Sequence, residues 1–459
     1  MRIVAEEDSS RTVWPSCPAN GWKSGVEKLT SRPFPGKNLI TPGQVPRLIE
    51  VHGPYLHGGG FPAVNGDDDM LTVVDPGLPI KIQPKPDEMG MAYPSVFASE
   101  FGVGGVMSSF ESMSPTLNAN HWNLHGGSPP DVCTKGFNKE CDGGNVMAQR
   151  NYPCDNIISA YFPTDDPGYF EEVGEQIFRK QLYHCMVGQA LHMKSTIEER
   201  RSRNELGHLI WQLNEIWPTG GWGSLEYGNP NFPGQVLGGR WKPLHYFYRR
   251  STFSDVLATC DGNGVGFIRN DGAGRSFEGS VVIDVINFET GIVQEKQISH
   301  NNIQLPSGPG SMQAFSCPII DGKDHFLSIK SIMSESDIVY QNTPILLAAP
   351  KDLTRNIFCD SGLKWSIVDV WESKASIEVT AKVPVAILVV LTTQAHGRFS
   401  DNVFSIVGGS VMIQFHSFGK LNLRLLKDSL RVEDMAMYLP RTHCTTESEN
   451  EIDQNTALK

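Results

Sequence analysis

Hydrophobic periodicity changes character once along this chain, near residue 250, and that change limits the folds open to it. Between residues 171 and 203, Val173, Ile177, Leu182, Met186, Ala190, Met193 and Ile197 recur at spacings of three to five with charges between them. That pattern is an amphipathic helix. Strand-like runs lie on both sides: Arg47 to His52 and Val96 to Gly102 before it, Leu209 to Leu213 after it. Strand, helix and strand, with polar residues at the strand ends, fit α/β units. The run from Glu198 to Arg203 that ends the helix is expected to be a solvated charged face. Beyond 250 the helical period vanishes. Ser280 to Phe288 alternates in part between turn residues, and Ile377–Val379, Val385–Leu391 and Val411–Phe415 read as further strands. About 190 residues of β-structure is more than one small sandwich needs. We expect an α/β region over 1–250, β-sandwiches over 251–352 and 353–441, and a disordered polar tail over 442–459.

Composition excludes several classes. The 459 residues are 39% hydrophobic, ample for packed cores, and carry a net charge of −12. An acidic chain is a poor candidate for nucleic-acid binding, so no nucleic-acid partner is expected. The longest apolar run, Val383 to Leu391, is broken by Pro384 and falls far short of the roughly 20 residues a spanning helix needs. The nine cysteines are scattered without a CxxC pair. They give no metal ligand set and no disulfide framework, with Cys133/Cys141 as the one candidate pair. No metal or cofactor is expected. Gly58–Gly60 and Asp67–Asp69 lack the following helix or ligand spacing of a phosphate or calcium loop and read as surface loop.

The chemistry-bearing window runs from Trp211 to Tyr246. Trp211, Trp217, Trp222, Tyr227, Trp241 and Tyr246 are interspersed with Asn214, Glu215, Glu226 and several glycines. A sugar is bound by such a mixture: flat rings cover its C–H faces, and amides and carboxylates bridge its hydroxyls. Aromatic clusters also pack cores, so composition alone leaves both roles open. The second piece is Ser99-Glu100-Phe101-Gly102, a carboxylate at a strand end beside small residues. The ordinary alternative there is a structural ion pair.

Together these segments resemble glycoside hydrolase family 2, in its β-mannosidase-like branch. The resemblance rests on Ala98-Ser-Glu-Phe-Gly102, Trp211-Gln-Leu-Asn-Glu-Ile-Trp217, Trp222-Gly-Ser-Leu-Glu-Tyr227 and Trp241-Lys-Pro-Leu-His-Tyr246, with Gly397-Arg-Phe-Ser-Asp-Asn402 in the β-region. Val51-His52-Gly-Pro-Tyr55 is similar to a preceding barrel strand of the family, with Glu50 where the family has Asp. The resemblance implies an α/β plus all-β fold: the C-terminal portion of a (β/α)8 barrel followed by two immunoglobulin-like sandwiches. In barrels of this kind, chemistry sits at the C-terminal strand ends.

It also implies roles. Glu100 would be the catalytic nucleophile. His52, Tyr55, Trp211, Asn214, Trp217 and Trp222 would bind the sugar, with Trp211 as its floor and Tyr55 a donor to Glu100. The family's acid/base is a Glu in an Asn-Glu pair on an earlier barrel strand. The pairs present are Asn204-Glu205, Asn214-Glu215 and Asn450-Glu451, none in that place. The chain is therefore expected to be N-terminally truncated, to lack the acid/base Glu, and to be marginally stable with half a barrel exposed. The implied activity is a retaining exo-β-mannosidase acting on terminal β-mannose of oligosaccharides or glycoconjugates. An exo-β-glucosaminidase is the near alternative, with Glu215 or Glu226 to meet a sugar ammonium. A non-catalytic carbohydrate-binding remnant is the alternative from another class.

Overall fold

The computed structural model describes residues 26–28, 48–56, 78, 80–86, 95–103, 106–126, 154–166, 168–216, 220–227, 239–291, 293, 298–336, 338–353, 357 and 360–439. Trp217, Cys133, Cys141, both loops at 58–60 and 67–69, and the tail from 442 lie outside them, as does the side chain of Tyr55.

The first region is a four-stranded sheet in the order β1 (Val26–Lys28), β2 (Leu48–Leu56), β3 (Ser95–Val103), β4 (Gly207–Ile210). β2, β3 and β4 run parallel, and β1 pairs antiparallel with β2. A parallel pair needs a crossover. Here β3 and β4 are joined by the short α1 (Phe110–Met113), α2 (Cys154–Tyr161) and the long α3 (Glu175–Ser202). The strands and the helix expected between 171 and 203 are present. Phe178, Leu182, Ala190, Met193 and Ile197 of α3 join Ala98 and Phe101 of β3 in one buried cluster.

The charged end of α3 is not solvated, contrary to expectation. Glu198, Arg200 and Arg201 are buried. Glu198 pairs with Lys194 at 2.7 Å and accepts from Ser251, Thr259 and Asn342. Arg201 reaches Asp271 at 2.6 Å, and Arg200 reaches Glu205 at 2.8 Å. The reason is tertiary: the helix end is wedged against α4 (Pro243–Ser251) and the first β-layer, so its charges are paired where water is excluded.

After α4 the chain is almost entirely β. One sheet has the order β11-β10-β7-β8 and faces another of order β5-β6-β9. These are β5 (Val256–Cys260), β6 (Val265–Asn270), β7 (Phe277–Asn287), β8 (Ile298–Leu305), β9 (Ser311–Ser316), β10 (His325–Met333) and β11 (Val339–Ile345). Alternate residues of β7 from Phe277 to Val285 are buried, the period-two pattern of a half-buried strand. A second pair of sheets follows, ordered β12-β13-β17-β15 and β16-β14-β18. Its strands are β12 (Lys364–Val370), β13 (Lys374–Thr380), β14 (Val385–Thr392), β15 (Gly397–Phe399), β16 (Phe404–Val407), β17 (Ser410–Ser417) and β18 (Arg431–Glu433). Between β17 and β18 lies α5 (Leu423–Ser429), whose N-terminus is capped by Asn422. Every residue of β14 is buried.

Two disulfides correct the expectation of scattered thiols. Cys154 of α2 bonds Cys185 of α3, and Cys260 of β5 bonds Cys317 after β9. Separations of 31 and 57 residues carry no spacing signature; only the fold brings these partners together.

The last sandwich is clamped to α1. Arg431 donates to Glu111 at 2.7 Å, and Tyr438 donates to Glu433 at 2.6 Å. Burial pushes the Glu433 carboxyl up to about 7, with repulsion from Glu111 adding to it and Arg431 and Arg179 opposing it. A carboxyl raised in the fold favours the folded state fully below its ordinary value, and that contribution is lost as pH rises through about 7. Glu433→Gln keeps the protonated shape. It should leave the melting temperature nearly unchanged at pH 5 and raise stability at pH 8, by at most about 3 kcal/mol. Buried His184, whose imidazole burial holds well below its usual range, contributes with the opposite sign in both proteins and cancels from the comparison. Thermal melts of the two proteins at both pH values check this; an equal difference at the two would contradict it.

Candidate active site

Glu100 sits where β3 departs from regular pairing. Val51 is opposite Ala98, but His52 is opposite Glu100, so Ser99 is an extra residue on that side. On the other side the register shifts again between Ala98 and Phe101. A bulge re-aims the side chains around it. Glu100 is turned from the helix-packed face, on which Ala98 and Phe101 are buried, and remains partly accessible. Its Oε1 lies 3.1 Å from Nε2 of buried His52. His52 Nδ1 is 3.4 Å from Ser99 Oγ, which is also 3.3 Å from the Val51 carbonyl.

The next strand brings the indoles. The Trp211 amide donates to the Phe101 carbonyl at 2.8 Å, which places residue 211 directly after β4 beside the end of β3. Trp211 is 42% exposed, so it is not part of the buried core. Gly102 explains why these strands can close up. A Cβ there would collide with the Trp211 carbonyl oxygen and lie 3.0 Å from Cδ1 of Trp222. Gly102→Ala should therefore push the Trp211 segment away and lower kcat/KM by about 10²-fold, the scale of a 1 Å misplacement. Steady-state kinetics check it, and an unchanged rate would contradict it.

The loop that carries these indoles is fastened by a buried pair. Lys242, fully buried, is bonded to Glu215 and donates to the Val106 carbonyl at 3.0 Å. Glu215 also accepts from the Gly223 amide at 3.0 Å. Burial pushes the Glu215 carboxyl up, while Lys242 pulls it back. Val106 and Gly221 form an isolated bridge. One ammonium thus ties the segment after β3 to the loop after β4. Glu226 is similarly engaged: it accepts from the Ser109 amide at 3.1 Å and the Ser112 hydroxyl at 2.6 Å, and pairs with Arg240 at 3.1 Å. Arg240 in turn reaches the Thr393 carbonyl of the last sandwich at 2.5 Å.

Of the expected site residues, His52, Glu100 and Trp211 lie at adjoining strand ends, and Trp222 lies on the loop after β4, beside Gly102. Asn214 is exposed on the same loop, forms a bridge to Leu225 and donates to its neighbour's carbonyl. The Tyr55 backbone pairs with Gly102. Lys242, Arg240 and Ser99 were not singled out from the sequence. Ser99 adjoins Glu100 in its motif, and Lys242 stands in the Trp241-Lys-Pro motif, so adjacency to a motif was the available signal. Among the described residues no group of His, Cys, Asp and Glu is arranged to hold a metal ion.

Comparison with known proteins finds likenesses over parts of the chain. An Ig-fold domain family of mannosidases matches residues 359–437, the second sandwich. β-Mannosidase from Capra hircus is 45% identical over 82 residues, covering 16% of this chain and 8% of that protein. β-Mannosidase A from Aspergillus flavus is 25% identical over 357 residues, 68% of this chain and 35% of that protein. The crystal structure of a β-D-mannosidase from Dictyoglomus thermophilum superposes with a TM-score of 0.51 at 18% identity, over 76% of this chain and 38% of that one. An exo-chitosanase from Amycolatopsis orientalis does so at 0.51 and 12%, over 83% and 44%. The chain thus spans well under half the length of these relatives. The chain is thus similar to animal and fungal β-mannosidases over part of their length, and its residues 359–437 match an Ig-fold domain of mannosidases.

Proposed function

We propose that the chain carries the nucleophile side of a retaining exo-β-mannosidase site, built on the later strands of a (β/α)8 barrel and followed by two immunoglobulin-like sandwiches at 251–352 and 353–441. The observation that carries the proposal is Glu100, set by a bulge at the end of a parallel strand between the His52 donor and the Trp211 segment. In a retaining mechanism a carboxylate oxygen of Glu100 attacks the anomeric carbon and the bond to the leaving oxygen breaks. A second carboxyl, about 5 to 5.5 Å away, protonates that oxygen and then activates water. The indoles cover the sugar's apolar face.

The second carboxyl is not any of the buried acids of this region. Glu215 is held by Lys242, Glu226 by Arg240, Glu111 by Arg431 and Glu205 by Arg200. None of these four carboxylates is therefore assigned the acid/base role. The same pairing argues against a glucosaminide: Glu215 and Glu226, the carboxylates that would meet a sugar ammonium, already neutralise cations of the chain.

Leaving groups test both points. A 2,4-dinitrophenolate departs without a proton, whereas a methyl or sugar alkoxide needs one, and general acid help is worth roughly 10²–10⁴ in rate. The 459-residue chain should turn over 2,4-dinitrophenyl β-mannoside in preference to the matching glucosaminide. It should cleave mannobiose slower still than the leaving-group basicity of an acid-assisted enzyme allows, by about that factor. Saturable sugar binding with no dinitrophenolate release would favour a non-catalytic binding role instead, and a faster glucosaminide would favour the exo-chitosanase-like reading.

A further inference from the structure

We propose that the outward face of the second sandwich binds an acidic oligosaccharide, of the kind built from uronic acids, through a row of bases that crosses three strands and meets an indole at each end. The inference stands apart from the chemistry at Glu100. The row follows from register. Lys374 of β13 lies opposite His416 of β17, and His416 lies opposite Arg398 of β15. One step along, Ala375, Phe415 and Phe399 are paired in the same way and are buried. Alternation therefore turns Lys374, His416 and Arg398 outward together. Adjacent strands lie about 4.8 Å apart, so the three bases span about 10 Å. Trp371 closes one end: Lys374 Nζ is 4.4 Å from its ring centre, yet the residue is 44% exposed. Trp241, just before α4, closes the other, with Arg398 Cζ 4.8 Å from its ring centre.

Such a row does nothing for the fold. Like charges set opposite one another destabilise a sheet. The chain has 51 Asp and Glu against 39 Lys and Arg, and neighbouring bases are paired: Arg250 of α4 with Asp401, Arg431 with Glu111. Among the described residues Lys374, His416 and Arg398 form no ion pair, and neither does Glu372 in the turn between Trp371 and Lys374. Partial burial, and then Arg398, Lys374 and Arg249 of α4, hold the His416 imidazole below its usual range, so the middle of the row lies in a positive field. A local rule broken without gain to the fold is expected where a ligand acts.

The row's charge calls for an anion, and its surroundings select a saccharide. Indoles at the two ends offer flat faces to the C–H patches of sugar rings. Gln414, next outward on β17 and partly exposed, brings an amide for hydroxyls. The row crosses the face of a four-stranded sheet, so a peptide gains nothing there from strand pairing, which needs an edge. A net charge of −12 repels a long nucleic-acid backbone wherever it extends past the row.

Calorimetric titration of the full chain with a galacturonic acid hexamer tests this, with mannohexaose and hexaglutamate beside it. The uronate should bind saturably, more weakly as salt is added, and should shift the ring signals of His416 in histidine-labelled chain. Lys374→Met combined with Arg398→Met should weaken it by about 10-fold or more. His416→Gln, a milder change, should weaken it by a smaller factor. Trp371→Ala should weaken the uronate several-fold. All of these are surface positions, so melting temperatures should stay close to that of the wild type. Equal affinity in wild type and the double variant, or no saturation and no His416 shift with the uronate, would overturn the proposal. Equal affinity for mannohexaose would overturn it by leaving the bases without a role. Equal affinity for hexaglutamate would overturn it in favour of an acidic peptide as the partner.

Discussion

Glu100→Gln should reduce the turnover of 2,4-dinitrophenyl β-mannoside by three or more orders of magnitude with little change in KM, because it removes the group that forms the covalent bond in the proposed mechanism. The substitution is nearly isosteric. Its amide oxygen can still accept from His52 Nε2 at the 3.1 Å position occupied by Oε1, so the fold and the indole wall should survive. Melting temperature then separates loss of chemistry from loss of structure: it should move by a degree or two at most while the rate collapses. A variant that keeps a tenth of the wild-type rate would place the nucleophile elsewhere. External azide or formate, small enough to occupy a trimmed pocket, should restore turnover in Glu100→Ala and not in Glu100→Gln.

The second large effect concerns Lys242. Among the described residues it is the cation bonded to the buried Glu215, and the same ammonium holds the Val106 carbonyl at 3.0 Å. Lys242→Met leaves Glu215 buried without a counter-charge, and breaking a buried pair in this way costs about 3–5 kcal/mol. It should also raise KM, since the loop from Asn214 to Gly223 carries Trp222 against Gly102. Adding Glu215→Gln to Lys242→Met removes the orphaned charge and should return a large part of the stability, though not the tie to Val106. Denaturant melts of the single and double variants check this. A double variant no more stable than Lys242→Met would show that the ion pair is not what holds the loop. Gly221 makes the point from another direction: a Cβ there would collide with the Glu215 carboxylate, so the loop has room for this pair only as the sequence stands.

How much of this was legible beforehand depends on the range of the interaction. Runs such as Val96 to Gly102 and the three-to-five spacing through α3 report local burial, so the strands and helix emerged with ends correct to a few residues. The change to period two near residue 250 likewise reports local burial, in strands such as β7. What one-dimensional pattern does not encode is which polar groups meet. Glu198, Arg200 and Arg201 look like any charged helix end, yet they are buried because α4 and β5 pack over them. Cys154 and Cys185 are 31 residues apart on two helices and nothing near either names the other. Glu215 and Glu226 stand among aromatics in a sugar-like composition, yet each is bonded to a cation more than ten residues further along. The bulge at Ser99 follows from backbone register, which no residue preference near it announces. Glu100 stands out in the sequence through its motif, whereas its contact with His52 depends on the fold.

The proposed chemistry turns on where a sugar becomes covalently bonded. Incubating the 459-residue chain with 2,4-dinitrophenyl 2-deoxy-2-fluoro-β-mannoside and sequencing its peptic peptides by mass spectrometry reads this directly. One fluoro-mannosyl group per chain, on the peptide containing Ser99-Glu100-Phe101 and on Glu100 itself, is the predicted result. A glycosyl group found on another carboxylate, with Glu100 unmodified, would contradict it.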